Sequence, residues 1–234
     1  MMEMCASPFV RGARKCTKER YDVHMSKITE AVLAVARTII KEKQYLTELD
    51  GPVGDSDHGI NMARGFEAVQ EELVHVKDPT DASEVLQAVG NALLDNVGGA
   101  AGPLYGAGFL AAGKALTKDD PLNVATLEKA LGAAVAAIQK RGRSQKGDKT
   151  MLDVLIPVYE CFTPKYAEGL TLRECLAEAN YVAKDGVEYT KTIAARKGRA
   201  SYLGERSIGY QDPGATSAML MVRTAYQFLN QTGR

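Results

Sequence analysis

Apolar residues recur at three- and four-residue steps through most of the chain from residue 26 onward. In the first such segment Ile28, Val32, Val35 and Ile39 follow these steps and therefore share one face of a helix. Seven further segments show the same spacing, with polar loops rich in glycine, proline or capping residues between them. The eight predicted helices cover about 26–40, 59–73, 81–94, 103–116, 126–139, 148–159, 171–190 and 214–229.

Segments that alternate between polar and apolar residues, as β-strands do, are missing from this pattern. The nearest candidate is 191–200, but its Ala, Arg and Lys content is unfavourable in a strand. Short loops between consecutive helices favour antiparallel neighbours. The pattern therefore predicts an all-α fold, a single-domain up-and-down barrel of eight antiparallel amphipathic helices over residues 26–234.

Residues 1–25 lack the helical periodicity and are rich in basic side chains. No apolar core follows these charges, so the segment does not have the form of a secretory signal. We interpret residues 1–25 as a flexible basic N-terminal extension, with an amphipathic targeting or interaction arm as the alternative. The basic residues are Arg11, Arg14, Lys15, Lys18 and Arg20.

Composition and charge narrow the functional classes. The 29 Lys and Arg residues balance the 29 Asp and Glu residues, so no basic excess is available to neutralise nucleic-acid phosphates. No apolar stretch approaches the roughly 20 residues that cross a bilayer. The four cysteines form no CxxC pair. We therefore expect a cytoplasmic protein with free thiols and with neither nucleic acid nor membrane as a partner.

The loop at 49–61 has the composition of a metal site. It places Asp50, Asp55 and Asp57 within eight residues, among three glycines and a proline. Carboxylates this close repel one another unless a cation lies between them, and Mg²⁺ prefers carboxylates together with substrate phosphates. The alternative is a turn in which Asp57 caps the following helix. His58 by itself fits a capping residue as well as a site residue.

Two other loops have the composition of anion sites. The glycine-rich stretch at 98–106 leads into a predicted helix, where backbone N–H groups and the helix dipole favour an anion. Gly98 and Gly99 also fit an ordinary helix stop. The stretch at 195–215 is a long loop punctuated by glycines, and loops of this length are usually functional. Its basic side chains, which suit phosphate, are Arg196, Lys197, Arg199 and Arg206.

The loop at 141–151 nearly matches a Walker A motif. Gly142 and Gly147 have the required spacing, and a Lys-Thr pair follows, but Asp148 intrudes before Lys149. A Walker A loop also needs a preceding strand, whereas 131–140 is predicted to be helical. We therefore reject a P-loop. The remaining interpretations are a different mode of nucleotide binding and a solvated basic loop.

Carboxylates for Mg²⁺ combined with glycines and basic side chains for phosphate suit phosphoryl transfer. The same loops resemble, in order, the motifs of the L subunit of dihydroxyacetone kinase, the nucleotide-binding half of that enzyme. The matching motifs are 54–62, 98–106, 147–151 and 195–214, and the resemblance covers about 26–231.

This resemblance implies an eight-helix barrel that binds a nucleotide at one end. It implies that Asp50, Asp55 and Asp57 hold two Mg²⁺ ions against the phosphates of ADP or ATP. Family members often carry Ser where this chain has Ala101, so one hydroxyl contact to phosphate would be lost here. The residues implied to line the nucleotide are His58, Gly59, Ile60, Asn61, Ala100, Ala101, Gly142, Met151, Arg199, Asp212, Pro213 and Gly214.

The resemblance also implies partners. A separate dihydroxyacetone kinase K subunit would hold the ketose, so this chain would carry no substrate-binding catalytic residue of its own. In one regime of the family, bound ADP is rephosphorylated in place by the phosphotransferase system through an M subunit, and in the other ATP exchanges. Two alternatives are a kinase module for another carried substrate and a nucleotide-loaded, non-catalytic adaptor of a transcription regulator. The complete set of three aspartates favours catalysis over the adaptor.

Overall fold

The computed structural model describes residues 27–232, and this range is helical with no β-strand. The interpretation of residues 1–25 as an extension lies outside the described residues. Within them, no helix combines the length and the hydropathy needed to cross a membrane. The helices are α1 (Lys27–Lys41), α2 (Lys43–Asp50), α3 (His58–Glu72), α4 (Ala82–Asn96), α5 (Ala101–Ala115), α6 (Val124–Gly142), α7 (Leu152–Glu160), α8 (Pro164–Ala167), α9 (Leu172–Thr192) and α10 (Pro213–Thr232), with a 3-10 segment at Arg199–Ser207.

All eight predicted helices are present, as α1, α3, α4, α5, α6, α7, α9 and α10. The two short helices α2 and α8 were not predicted, because one or two turns are too few to show a period. Helix α7 begins at Leu152 and not at Asp148, since Gly147 and Lys149 have positive φ angles of 93° and 60° that interrupt a helix. The predicted loop at 195–215 contains the 3-10 segment.

The helices contact one another in chain order. Helix α1 contacts α3, and the contacts continue through α4, α5, α6, α7, α9 and α10, which in turn contacts α1. The short helix α2 lies against α3. The prediction of an all-α, single-domain fold is confirmed. The closed antiparallel barrel stays a prediction, and this order of contacts supports it.

The apolar faces of these helices form one main core. Each large aliphatic or aromatic side chain that is fully removed from water contributes about 1.5–3 kcal/mol. An apolar pocket of about 480 Å³, partly open to solvent, is lined by side chains of this core, among them Tyr105 of α5. The largest fully buried apolar side chains are Ile39, Leu46, Met62, Phe66, Leu93, Phe162, Leu152 and Leu220.

Helices α4 and α5 approach each other most closely where glycines face the partner backbone. A Cβ atom at Gly90 would lie 2.7 Å from the backbone nitrogen of Leu110, and one at Gly106 would lie 2.9 Å from the carbonyl oxygen of Gly90. Carbon atoms do not approach backbone atoms this closely without displacement. The two helices can therefore keep their present separation only with glycine at these positions.

We expect Gly90→Ala to lower the free energy of unfolding by about 1–3 kcal/mol, because the added methyl group forces the backbones of α4 and α5 apart. The better helix propensity of alanine offsets about 1 kcal/mol of that loss. Urea unfolding followed by circular dichroism measures the difference. Asn91→Ala, at the exposed neighbouring position of α4, is the control and should change stability by no more than about 0.5 kcal/mol. Equal stability of Gly90→Ala and the wild type would contradict the close approach.

Candidate functional site

Three carboxylates meet where α2 ends and α3 begins. Asp50 is the last residue of α2, and Asp55 and Asp57 lie in the loop that follows. One oxygen from each of the three lies within 4.8 Å of the others. Asp50 is buried, Asp57 is half-buried and Asp55 is exposed, so the cluster opens toward solvent. The structure therefore brings together the three aspartates that the sequence suggested as metal ligands.

The buried carboxylate of Asp50 shapes this loop. Its Oδ2 atom accepts hydrogen bonds from the backbone N–H groups of Asp57, at 2.9 Å, and of His58, at 3.2 Å. Gly54 lies so close that a Cβ atom there would overlap the Asp50 carboxylate. The side chain of Asp57 makes no capping hydrogen bond at the start of α3, so the alternative interpretation of Asp57 as a capping side chain is wrong.

The electrostatics of the cluster are those of a cation site. Burial and the neighbouring charges of Asp55 and Asp50 raise the pKa of Asp57 above its usual value, while a hydrogen bond with Asn61 opposes the shift. A divalent cation among these oxygens would reverse the repulsion. Hard carboxylate oxygens that open toward solvent fit Mg²⁺.

The 3-10 segment brings a basic side chain to the cluster. Arg199, its first residue, places Nη2 2.8 Å from Oδ2 of Asp55. The Arg199 side chain is 64% exposed, so this ion pair contributes little to stability. The ion pair nevertheless places a guanidinium beside the oxygens of the acidic cluster.

The N-termini of three helices meet at Ser217. His58, the first residue of α3, places Nε2 3.0 Å from Ser217 Oγ, and Tyr105 of α5 places its hydroxyl 2.8 Å from the same atom. Tyr105 also donates to the carbonyl of Gly214 at 2.9 Å, in the first turn of α10. The first two turns of α3, α5 and α10 are therefore close together, and the positive ends of their helix dipoles favour an anion in this region.

The glycine-rich turn before α5 lies against the first turn of α3. A Cβ atom at Gly98 would lie 2.8 Å from Asn61 Oδ1, and Gly99 has a positive φ of 66°. Ala100 and Ala101 follow directly and begin α5. The structure thus places the glycine-rich loop 98–106 next to Asn61, in the first turn of α3.

The other predicted nucleotide residues lie at the starts of two helices, Met151, Asp212 and Gly214 at α10 and Gly142 at α5. A Cβ atom at Gly214 would lie 3.7 Å from the backbone nitrogen of Met151, and Asp212 Oδ2 accepts the Ala215 N–H at 2.7 Å, which caps α10. Gly142 lies against Leu104 in the first turn of α5, where a Cβ atom would be 3.1 Å from Leu104 Cδ2.

Within α3, Gly59 and Ile60 have opposite environments. Gly59 is buried against α2, where a Cβ atom would lie 2.6 Å from the backbone nitrogen of Thr47. Ile60 is 46% exposed beside the carboxylates. Pro213 is the first residue of α10, a position that suits its missing N–H group.

The pKa values of two ionisable groups in the site are strongly shifted. Burial raises the pKa of Asp212 to about 7, although the hydrogen bond from the Ala215 N–H has the opposite effect. Burial lowers the pKa of His58 to about 4, against the opposing effects of the Asp50 charge and the Pro213 carbonyl. His58 is therefore neutral near pH 7, with one ring nitrogen bonded to Ser217.

Sequence reasoning missed the roles of Ser217, Tyr105 and Lys149. Tyr105 lies inside the second motif but carried no assigned role, and nothing in the sequence distinguishes Ser217 from other small residues of α10. Lys149 had a signal, the near match to a Walker A loop, and the structure directs this side chain into the interior.

We expect the stability of the protein to fall as the pH is lowered from 6.5 toward 4, in part because of His58. Its folded-state pKa lies below the ordinary value of 6.5, so the unfolded state binds the proton more readily and acid favours unfolding. His58→Gln should remove on the order of 2 kcal/mol of this loss between pH 7 and pH 4.5, measured by urea unfolding. His75→Gln, at an exposed histidine after α3, is the matched control. Identical pH profiles for the two variants would contradict the prediction.

The sequence of the chain is similar to those of several known proteins. The family model of the DAK2 domain matches residues 52–227. The chain is 44% identical over 182 residues to the PEP-dependent dihydroxyacetone kinase, ADP-binding subunit DhaL, of Escherichia coli (strain K12), covering 78% of this chain and 86% of that protein. It is 41% identical over 187 residues to the ADP-binding subunit DhaL of the PEP-dependent dihydroxyacetone kinase 1 of Listeria innocua, with coverages of 80% and 88%. It is 33% identical to the L-erythrulose 1-kinase of Mycolicibacterium smegmatis, covering 90% of this chain and 35% of that protein.

Solved structures show the same fold. The dihydroxyacetone kinase of C. freundii in complex with AMP-PNP and Mg²⁺ matches with a TM-score of 0.67 at 22% sequence identity, over 97% of this chain and 38% of that chain. The resemblance inferred from the four loop motifs is thus confirmed, and the chain belongs to the DAK2 domain family.

Proposed function

We propose that this chain is the nucleotide-binding subunit of a dihydroxyacetone kinase, a phosphotransferase with an alcohol acceptor. It carries ADP or ATP with Mg²⁺ and passes a phosphoryl group to a short-chain ketose held by a partner K subunit. The observation that carries this proposal is the cluster of three carboxylates at the start of α3, next to the point where His58, Tyr105 of α5 and Ser217 of α10 meet. The names of the relatives in E. coli and L. innocua, both ADP-binding subunits, support it.

Two Mg²⁺ ions bind at Asp50, Asp55 and Asp57 in this proposal. Bound Mg²⁺ supplies neutralisation of the charge on the transferring phosphate. Asp50 already accepts two backbone N–H bonds at Oδ2, which fixes its orientation and leaves Oδ1 for a metal ion. Arg199, whose guanidinium pairs with Asp55, would supply a further positive charge for a phosphate oxygen.

Residues 58–61, Ala100 and Ala101, at the starts of α3 and α5, would hold the nucleotide phosphates. The backbone N–H of Ala101 would donate to phosphate where the serine hydroxyl is missing. Gly142, Met151 and residues 212–214 complete the nucleotide surface. The contact of Met151 with Gly214, and of Gly142 with the first turn of α5, supports this arrangement.

The proposal leaves the choice of ketose to the K partner. An L-erythrulose 1-kinase among the relatives supports a substrate class of short ketoses, with dihydroxyacetone favoured by the more similar relatives. The words PEP-dependent and PTS-dependent in the names of three relatives support the regime in which bound ADP is rephosphorylated by a phosphotransferase-system M subunit. With these substrates and partners we infer a cytoplasmic location.

The first test is to look for nucleotide in the purified protein. Denaturation should release the bound nucleotide, and ion-pair chromatography of the supernatant should then detect about one ADP per chain if the nucleotide behaves as a bound cofactor. If the purified chain contains no nucleotide but binds Mg·ATP reversibly, the proposed kinase function stands and ATP exchanges freely. A chain that binds neither nucleotide in the presence of Mg²⁺ would overturn the proposal.

We expect Asp55→Asn to weaken Mg·ADP binding by about 100-fold or more, since it removes a charged metal ligand. Phosphoryl transfer to dihydroxyacetone with the K subunit should be lost with it. The far-ultraviolet circular dichroism spectrum should not change, because Asp55 is exposed and its ion pair is weak. Asp95→Asn, at an exposed position of α4, is the control in calorimetric titrations with ADP and Mg²⁺. Full activity of Asp55→Asn would refute the metal assignment.

A further inference from the structure

Lys149 is a buried cation surrounded by backbone oxygens. Only 1% of the residue is exposed. Its Nζ donates to the carbonyls of Thr190 and Tyr210, each at 2.5 Å, of Ser207 at 2.8 Å and of Ile193 at 3.3 Å. We refer to these four carbonyls as the carbonyl cage. They belong to the end of α9, the end of the 3-10 segment and the turn before α10.

No carboxylate among the described residues forms an ion pair with Lys149. Burial lowers the pKa of Lys149, and the more distant charges of Asp212 and Asp153 oppose that shift. A buried ammonium without a charged partner is costly unless other groups replace its hydration. The carbonyl cage provides that replacement, with four acceptors for the three N–H donors of the ammonium.

The segment 193–212 has little else to hold it in place. Its apolar cluster consists of Val53, Ala195, Ala200 and Leu203, which bury little surface compared with the main core. Its backbone donates three single hydrogen bonds to the rest of the chain, from Arg196 N–H to the Asp148 carbonyl at 3.1 Å, from Gly209 N–H to the Lys191 carbonyl at 2.8 Å and from Asp212 N–H to Thr190 Oγ1 at 3.0 Å. Its side chains add the hydrogen bonds of Gln211 to Tyr45 and Thr216 and the exposed ion pair of Arg199 with Asp55. Lys149 is the one group among these that bonds to four points of the segment and its borders from the interior.

The same segment carries two residues of the proposed nucleotide site. Arg199 lies near its start, paired with Asp55, and Asp212 lies at its end, capping α10. The backbone of Lys149 belongs to the loop that precedes Met151, and its positive φ of 60° turns the side chain away from the helical course. One side chain thus joins the loop before α7 to the segment on which both residues lie.

We propose that Lys149 is a positioning residue: its ammonium is a fixed internal cation around which residues 193–212 fold, which places Arg199 and Asp212 at the nucleotide without touching it. This inference rests on the proposed function for its effect on binding. It assigns the lysine of the rejected Walker-like motif a different role from the phosphate-binding lysine of a P-loop.

A cage of carbonyl oxygens accepts any small monovalent cation of suitable size, as the filters of potassium channels show. Truncation of Lys149 to alanine leaves the oxygens in place and opens room for a free cation. Ammonium or K⁺ should therefore substitute for the missing side chain, whereas the bulky tetramethylammonium ion should not. A purely space-filling role for Lys149 would show no such selectivity.

The test uses the full chain as wild type, Lys149→Ala, Lys149→Met and the control Lys184→Met, an exposed position of α9. Calorimetric titration with Mg·ADP should show affinity about tenfold or more below wild type for both Lys149 variants, because several buried carbonyls lose their donor. Lys184→Met should bind as wild type does. Hydrogen–deuterium exchange should increase within 193–212 and remain unchanged in α1, α3 and α4.

Restoring the affinity of Lys149→Ala with a free cation distinguishes a positioning role of Lys149 from a general contribution to stability. Ammonium or potassium chloride should restore much of the affinity of Lys149→Ala, and tetramethylammonium chloride at the same ionic strength should not. Wild-type affinity in Lys149→Met, or faster exchange throughout the core without cation rescue in Lys149→Ala, would overturn the inference. If the wild type itself does not bind Mg·ADP, the proposed function fails, while local exchange and its suppression by ammonium still decide whether Lys149 orders residues 193–212.

Discussion

The buried carboxylate of Asp50 is the group on which the site depends. One of its oxygens holds the backbone N–H groups of Asp57 and His58, so it decides how the chain turns from α2 into α3. The same carboxylate contributes an oxygen to the acidic cluster. Gly54 has to lie against it, where any side chain would overlap. Because one group serves as both acceptor and candidate ligand, the start of α3 and the geometry of the acidic cluster are set together.

Two kinds of positive charge organise the surroundings of this cluster. Lys149 is attached to the chain and is always present within the carbonyl cage, where it orders the segment 193–212. Arg199 is exposed and pairs with Asp55 only through a weak ion pair, so a metal ion can replace it. The interior ammonium of Lys149 therefore orders the segment, whereas the exposed side chain of Arg199 leaves the acidic cluster accessible to another cation.

The helices could be predicted from the sequence wherever the apolar period was long. Helix α9, which begins with a capping box at Thr171 and Glu174, is such a case. Helix α2 could not be predicted, because it spans two turns and follows α1 after the single residue Glu42. The start of α7 was misplaced because Lys149, a residue that usually favours helices, takes a positive φ to direct its side chain into the interior. A tertiary requirement there outweighed local propensity.

The sequence by itself determined the candidate metal ligands and the family, because both depend on residue types at short, ordered spacings. Asp50, Asp55 and Asp57 lie within eight residues, and the local turn suffices to bring them together. Only the tertiary structure decided that His58 and Tyr105 meet at Ser217, across 159 and 112 residues, and that Lys149 reaches carbonyls 41 to 61 residues away. A serine hydroxyl or a backbone carbonyl is available almost everywhere in a chain. Its partner is chosen by how the helices pack, and no local pattern records that choice.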